Sequence, residues 1–241
     1  MVRSLEKPGC LSDISILGTK SFGGKMEVSQ AVKQRKSIRG FLPNSVEDEV
    51  LSSLLEKAAR APSGGNVQPW RVYVINGARM NDFKTHIEDF ALGEPEYPIY
   101  PPKLQEPYRT NRYELGEEMY ALLGIPREDK AARLANMSKN YGFFGAPAAF
   151  FCFVDRSMGS AQWSDLGMFL QTFMLLAEEA GLGTCAQEAW AMHQEAVAAF
   201  VKSPENEMIF CGMAIGYPDW EQPVNSLVSK RMPLDQWCTW A

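Results

Sequence analysis

The chain has 241 residues, 46% of them hydrophobic and 22% charged, a composition that supports one globular domain with a sizeable core. A formal net charge of −5 and a pI near 5.2 argue against a nucleic-acid partner, whose phosphates call for a basic surface. No apolar run approaches the ~20 residues that span a bilayer and no signal-peptide pattern opens the chain, so a cytoplasmic protein without membrane attachment is expected.

Residues 1–25 carry scattered Gly, Ser and Lys with little periodicity and read as an N-terminal extension, ended by the break at Gly23-Gly24. From residue 26 a helix is expected to about residue 35, with Val28, Ala31 and Val32 on one face, after which Ile38 and Phe41 suit a short extended segment. Arg35, Ser37 and Arg39 alternate across that junction, and extended backbone would turn all three side chains the same way. Two planar guanidinium forks and a hydroxyl suit a ligand with a phosphate and a polar ring edge, although basic residues at a helix end also suit a solvated face.

Ser45 is the expected N-cap of the next helix, with Glu47, Asp48 and Glu49 in its first turn and Val50, Leu51, Leu54, Leu55 and Ala58 as its apolar face. There follows Ala61-Pro-Ser-Gly-Gly-Asn-Val-Gln-Pro-Trp70. Pro62, Ser63, Gly64 and Gly65 break the helix and leave backbone N–H groups free, while Asn66 and Gln68 carry both donors and acceptors. Such a loop suits the edge of a planar heterocycle; it also suits an ordinary helix-to-strand turn.

Residues 70–75 read as a buried strand stopped by Asn76-Gly77, and 79–90 as a helix. Prolines crowd the stretch from 92 to 113, an irregular excursion followed by helices over 114–123 and 128–140. Tyr141, Phe143 and Phe144 close it as pocket wall or as core. A strongly apolar strand spans 148–154, and a helix over 162–180 is apolar nearly all round and must be buried on most sides. Residues 184–189 are strand-like, 207–216 form a buried strand with the small residues Gly212 and Ala214, and the tail from Pro223 ends in Trp237 and Trp240. Trp163 and Trp190 read as packing anchors or ligand stacks, and His193 as a polar helix residue.

Five cysteines without a C-x-x-C pair argue against a zinc site or disulfide framework, and with only His86 and His193 no metal site or Ser/His/Asp arrangement is expected.

Together, the Arg35-Lys-Ser-Ile-Arg-Gly-Phe41 element and the Pro62-Ser-Gly-Gly-Asn-Val-Gln-Pro-Trp70 loop resemble the two motifs of the nitroreductase family of FMN enzymes. The resemblance continues through Gly181-Leu-Gly-Thr-Cys-Ala-Gln-Glu-Ala189, Gly216-Tyr-Pro-Asp219, Pro223-Val-Asn225 and Lys230-Arg-Met-Pro-Leu234, and so covers nearly everything after residue 26. It implies an α/β (α+β) nitroreductase-like fold: one FMN-binding domain over 26–241, with a central mixed, mainly antiparallel sheet among helices and the 92–144 excursion shaping the substrate pocket. It also implies an interlocked homodimer, with helix 162–180 central to it and the tail reaching across.

The resemblance further assigns Arg35, Lys36, Ser37 and Arg39 to the flavin, Arg35 on the phosphate side and Arg39 near N1 and O2 of the ring. Pro62, Ser63 and Asn66 would touch it across the dimer, Gln187, Glu188 and Ala189 would lie beside the isoalloxazine, and Arg231 would grip the phosphate. Ala189 stands where Gly is common. No side-chain acid or base need be catalytic. A fixed Arg beside N1 favours the anionic reduced ring, so NADPH or NADH can deliver hydride, with a nitroaromatic or quinone as acceptor in ping-pong order. The shared motifs also fit other flavin chemistry, such as flavin reduction or reductive dehalogenation, or a non-catalytic flavin-binding protein.

Overall fold

The computed structural model describes residues 26–241; the expected N-terminal extension lies outside the described residues. Helix α1 (Val28–Gln34) buries only Ala31, while Val28 and Val32 are 73% and 54% exposed, an apolar face left uncovered by the described residues. Helix α2 (Asp48–Ala58) starts later than Ser45, which is exposed, and Glu47 occupies the cap without a side-chain cap bond. Its entry is fixed instead by a hydrophobic staple, with Val46 before the cap and Leu51 in the helix buried in one cluster. The Asn76 amide adds hydrogen bonds to the Val46 carbonyl at 2.8 Å and the Asp48 carboxylate at 2.7 Å.

Four strands, β1 (Arg71–Asn76), β2 (Ala148–Asp155), β3 (Gly183–Gln187) and β4 (Glu207–Gly216), form an antiparallel sheet in the order β1-β2-β4-β3. A parallel bridge between Ser37 and Thr184 continues it past β3, which gives the sheet its mixed character. The apolar run of β2 makes it central and buried on both faces. β1 reads as buried from its β-branched residues but lies at the edge, with Val74 44% exposed, because an edge strand needs only one covered face.

Alternation along β2 divides the core. Phe150, Cys152 and Val154 face α6 (Ser160–Glu179), which packs down through Leu166, Phe169, Leu170, Phe173 and Ala177. Phe173 meets Phe150 edge-on at 4.9 Å between centroids. The opposite face of α6 is not covered as its all-round apolar pattern predicts: Met168 stays 37% exposed. On the other side of the sheet, Phe151 and Phe153 pack with Phe83 of α3 (Ala78–Glu88), Phe143, Trp190 and Val197 of α7 (Gln194–Val201). Trp190 lies flat enough on β4 that a Cβ at Gly212 would stand 2.2 Å from its ring, so this tryptophan is a packing anchor.

The excursion carries α4 (Tyr108–Leu122) and α5 (Lys130–Ser138), and neither buries a residue. The first begins earlier than its sequence pattern suggests and the second later, where the Asp129 carboxylate accepts the Ala132 N–H at 2.9 Å. Arg133 joins the two through a bidentate pair with Glu117 at 2.6 and 3.1 Å, its guanidinium 4.2 Å from the Tyr120 centroid. The excursion is tied to the body by the Glu96–Arg156 ion pair, the Tyr97 hydroxyl on the Phe210 carbonyl, and the Gly93 N–H on the Met192 carbonyl at 2.9 Å. No helix among the described residues is long and apolar enough to cross a membrane.

Candidate functional site

The Arg35–Phe41 element is held on both sides. Toward the sheet, the Ile38 N–H donates to the Thr184 carbonyl at 2.9 Å, which lays the element along β3 and buries Ile38 against Gly183. Away from the sheet, Asn225, fully buried, accepts the Arg39 N–H and donates to the carbonyls of Gly40 and Asp219, each at 2.8 Å. Backbone fixed in this way presents the side chains without using them.

Arg35, Lys36 and Arg39 form no salt bridge among the described residues. Arg39 is half-buried and lines a cleft of about 590 Å³ whose floor is the stretch from Cys185 to Ala189. Burial pushes the Cys185 thiol up, while Arg39, the Ser37 hydroxyl and Arg35 pull it the other way, which places that cationic element beside β3. Burial likewise raises the carboxyl of Glu178 near the end of α6, opposed by Arg35 and Lys36. The Lys36 ammonium also donates to the Asn225 carbonyl at 3.3 Å and sits 5.5 Å from the Trp220 centroid.

Strand β3 stops at Gln187; Glu188 and Ala189 belong to a 3-10 turn, Glu188–His193, and not to the strand expected over 184–189. The buried Gln187 amide donates to the Asn140 carbonyl at 2.8 Å and accepts from the Trp190 indole at 3.4 Å, so its side chain joins the floor to the excursion. Met137, Tyr141 and Phe144, with Ile99, Tyr100, Arg112 and Met119, wall the cleft. Phe143, by contrast, is core. His193 is buried beneath Tyr141, 4.6 Å between ring centroids, and burial lowers its pKa; it is a core histidine.

The 62–68 loop lies apart from this cleft within one chain. Pro62 and Asn66 are exposed and Ser63 is half-buried. The Ser63 hydroxyl accepts the Gln68 N–H at 3.0 Å, and the Gly64 N–H donates to both oxygens of the buried Asp165 at 3.3 Å. Asn66 and Gln68 hold positive φ values of 58° and 51°, strained conformations that only a closely determined loop keeps. Arg231 lies in a second cleft, of about 700 Å³, that adjoins the first through Tyr100 and Arg112, and there it donates to Ser229 at 2.7 Å. A single chain therefore brings together Arg39 and residues 187–189, with Arg35, Lys36 and Ser37 adjacent, and leaves Pro62, Ser63, Asn66 and Arg231 elsewhere.

Sequence reasoning gives no role to Asn225, which it meets only within Pro223-Val-Asn225, or to Asp165, both of which act on backbone over a hundred residues away, and it leaves Arg112 too loosely placed to assign. Only the polar Asp165 amid the apolar run of its helix was a usable signal.

The arrangement defines an α+β protein with an apolar-walled, cation-floored cleft at one edge of its sheet. Its donor set of unpaired guanidiniums, a hydroxyl and flat aromatic walls fits a phosphorylated, planar heterocycle such as FMN. The chain belongs to the nitroreductase family: the model described as Nitroreductase family matches residues 32–217.

Among relatives, a nitrobenzene nitroreductase of Ectopseudomonas oleovorans is 34% identical over 217 residues, 88% of this chain and 96% of that protein. A 4-nitrobenzoate reductase of Pseudomonas putida is 35% identical over 207 residues, 85% of this chain and 89% of that protein. Among solved structures, the FMN and NADPH-dependent nitroreductase NfnB from sphigopyxis sp. strain HMH is 41% identical with a TM-score of 0.85, covering 90% of this chain and 99% of its own. The nitroreductase-like fold implied by the motifs is thus the fold of this chain.

Proposed function

We propose that this protein is an FMN-dependent oxidoreductase that takes hydride from NADPH or NADH and reduces nitroaromatic or quinone-like acceptors in ping-pong order. The observation that carries the reading is Arg39, fixed through its backbone by Asn225 and without a salt bridge among the described residues, its guanidinium held only by the Ser37 carbonyl at 3.4 Å, in an aromatic-walled cleft. Bound FMN would supply two-electron exchange between nicotinamide and acceptor at one face of a ring.

The chain's own residues do the rest. Arg39 and Ser37 would hold the polar edge of the ring, where the positive charge of Arg39 would stabilise negative charge. Arg35, Lys36 and Arg231 would neutralise the phosphate, and Gln187, Glu188 and Ala189 would help hold the ring. Met137, Tyr141 and Phe144 exclude water from the acceptor space.

We further infer a homodimer in the cytoplasm, in which Pro62, Ser63 and Asn66 of one chain complete the site of the other. Support comes from the apolar faces of α1 and α6 left uncovered in one chain and from the rigid, strained loop held by Asp165. The free thiols of Cys152, Cys185 and Cys211 agree with a reducing compartment, and the net charge of −5 agrees with the lack of a nucleic-acid partner. The test is the visible spectrum of the purified protein under anaerobic conditions. A flavin band that bleaches with NADPH or NADH and returns with a nitroaromatic is expected; a colourless protein that gains no stability from added FMN would overturn the reading.

A further inference from the structure

The excursion contributes to the cleft a charged side chain that the flavin reading does not use. The charged residues lining the cleft are Arg39, Glu188 and Arg112. The first two belong to the floor; Arg112 comes from α4 and faces the same space from the excursion side. Its guanidinium carbon lies 4.1 Å from the centroid of Tyr100, which is 49% exposed, so the stack stands at the rim.

Three nearby cations are held in ion pairs, Arg109 with Glu106 at 2.5 Å, Arg133 with Glu117 at 2.6 Å and Lys230 with Glu118 at 2.5 Å, while Arg127 lies over Tyr113 and does not line the cleft. Arg112 makes no side-chain hydrogen bond or salt bridge among the described residues. A guanidinium lying on a ring keeps its in-plane donors pointing outward, in the fork that matches a carboxylate.

We propose that Arg112, oriented by Tyr100, anchors an anionic substituent of the electron acceptor, so that the acceptors this cleft prefers are nitroaromatics bearing a carboxylate. The inference rests on the reading of this cleft as the place where the acceptor is reduced. Met119, Met137, Tyr141 and Phe144 offer aromatic and thioether surface to the acceptor ring. With Arg39 taken up by the polar edge of the flavin ring, Glu188 is the charge left on the floor and disfavours an anion there, which turns the carboxylate toward the rim and the nitro group inward. A neutral nitroaromatic has the walls but lacks this orienting pair.

The experiment is steady-state kinetics of the FMN-loaded protein with 4-nitrobenzoate and nitrobenzene, comparing wild type with Arg112→Gln and Arg112→Lys. The wild type is expected to favour 4-nitrobenzoate, and Arg112→Gln to lower the ratio of kcat/KM for 4-nitrobenzoate over nitrobenzene by about 10- to 100-fold, chiefly through KM. Arg112→Lys should recover part of the ratio. A ratio unchanged in Arg112→Gln overturns the proposal, and a rise in the KM for NADPH with the ratio preserved reassigns Arg112 to the nicotinamide. Calorimetric binding of 4-nitrobenzoate to the oxidised holoprotein separates this inference from the reading beneath it. Binding that depends on Arg112 without turnover refutes the reductase and keeps the anion site, whereas turnover with binding indifferent to Arg112 does the reverse.

Discussion

The Asn225 carboxamide accepts the backbone N–H of Arg39 at 2.8 Å and, through its nitrogen, donates to the next carbonyl, that of Gly40, at the same distance. A residue far along the chain thereby clamps the peptide that carries the central cation of the site. Asn225→Ala strips partners from buried backbone groups and should cost about 2–4 kcal/mol. Differential scanning calorimetry should register this as a lower Tm, and flavin release should accelerate in the same variant. An unchanged Tm would mean that water replaces the amide.

Arg39→Ala leaves that clamp intact because the clamp uses main chain. Removing the charge should weaken FMN binding about 10- to 100-fold, read by fluorescence titration of the flavin-free protein, with little change in Tm measured without flavin. Equal losses of affinity and of flavin-free stability would place Arg39 in the fold and not in the site.

Gly212 bears the ring of Trp190 so closely that a methyl group would fall 2.2 Å from Cδ1. Gly212→Ala must displace a fully buried indole and should destabilise by about 1–3 kcal/mol in denaturant unfolding. Because Trp190 also hydrogen-bonds Gln187, the cleft floor should shift with it, and Trp fluorescence should report the movement.

Glu178 sets a pH dependence. Burial raises its carboxyl above the ordinary value of 4.5, more than Arg35 and Lys36 lower it. With the folded value above the unfolded one, its contribution to stability is full below 4.5 and is lost as pH rises through the folded value. Glu178→Gln, which cannot ionise, should therefore gain stability relative to wild type as pH climbs from about 4 toward 7. Urea midpoints at several pH values test the sign; a gap that narrows with rising pH would show that the attraction to the two cations dominates.

Much of this was legible in the chain. β4 lies over the stretch its small and apolar residues predict, 207–216, because a continuously buried strand leaves a sharp apolar signature. The Arg35–Phe41 element was legible because its alternation and spacing depend on local backbone. What escaped depends on pairing at long range. Ser45 looks like a cap, yet the staple from Val46 to Leu51 and the reach of Asn76 decide where α2 begins. β1 looks buried, yet its position at the sheet edge is set by the neighbours it lacks. The motif groups Arg231 and the 62–66 loop with Arg39, and one chain keeps them apart; a homodimer of the kind proposed above would account for this, because spacing along one chain carries no information on contacts between two.

Neither α4 nor α5 sinks a residue into the core, and their mutual attachment runs through a half-buried ion pair, Arg133 with Glu117. Sequence drift on these helices is therefore nearly invisible to folding, whereas drift at the buried Gln187 of the cleft floor, or at Ile38 packed beside β3, is not. Such a molecule can change what it consumes faster than what it is built from, and a library confined to residues 99–137 is where an engineer should look for new acceptors.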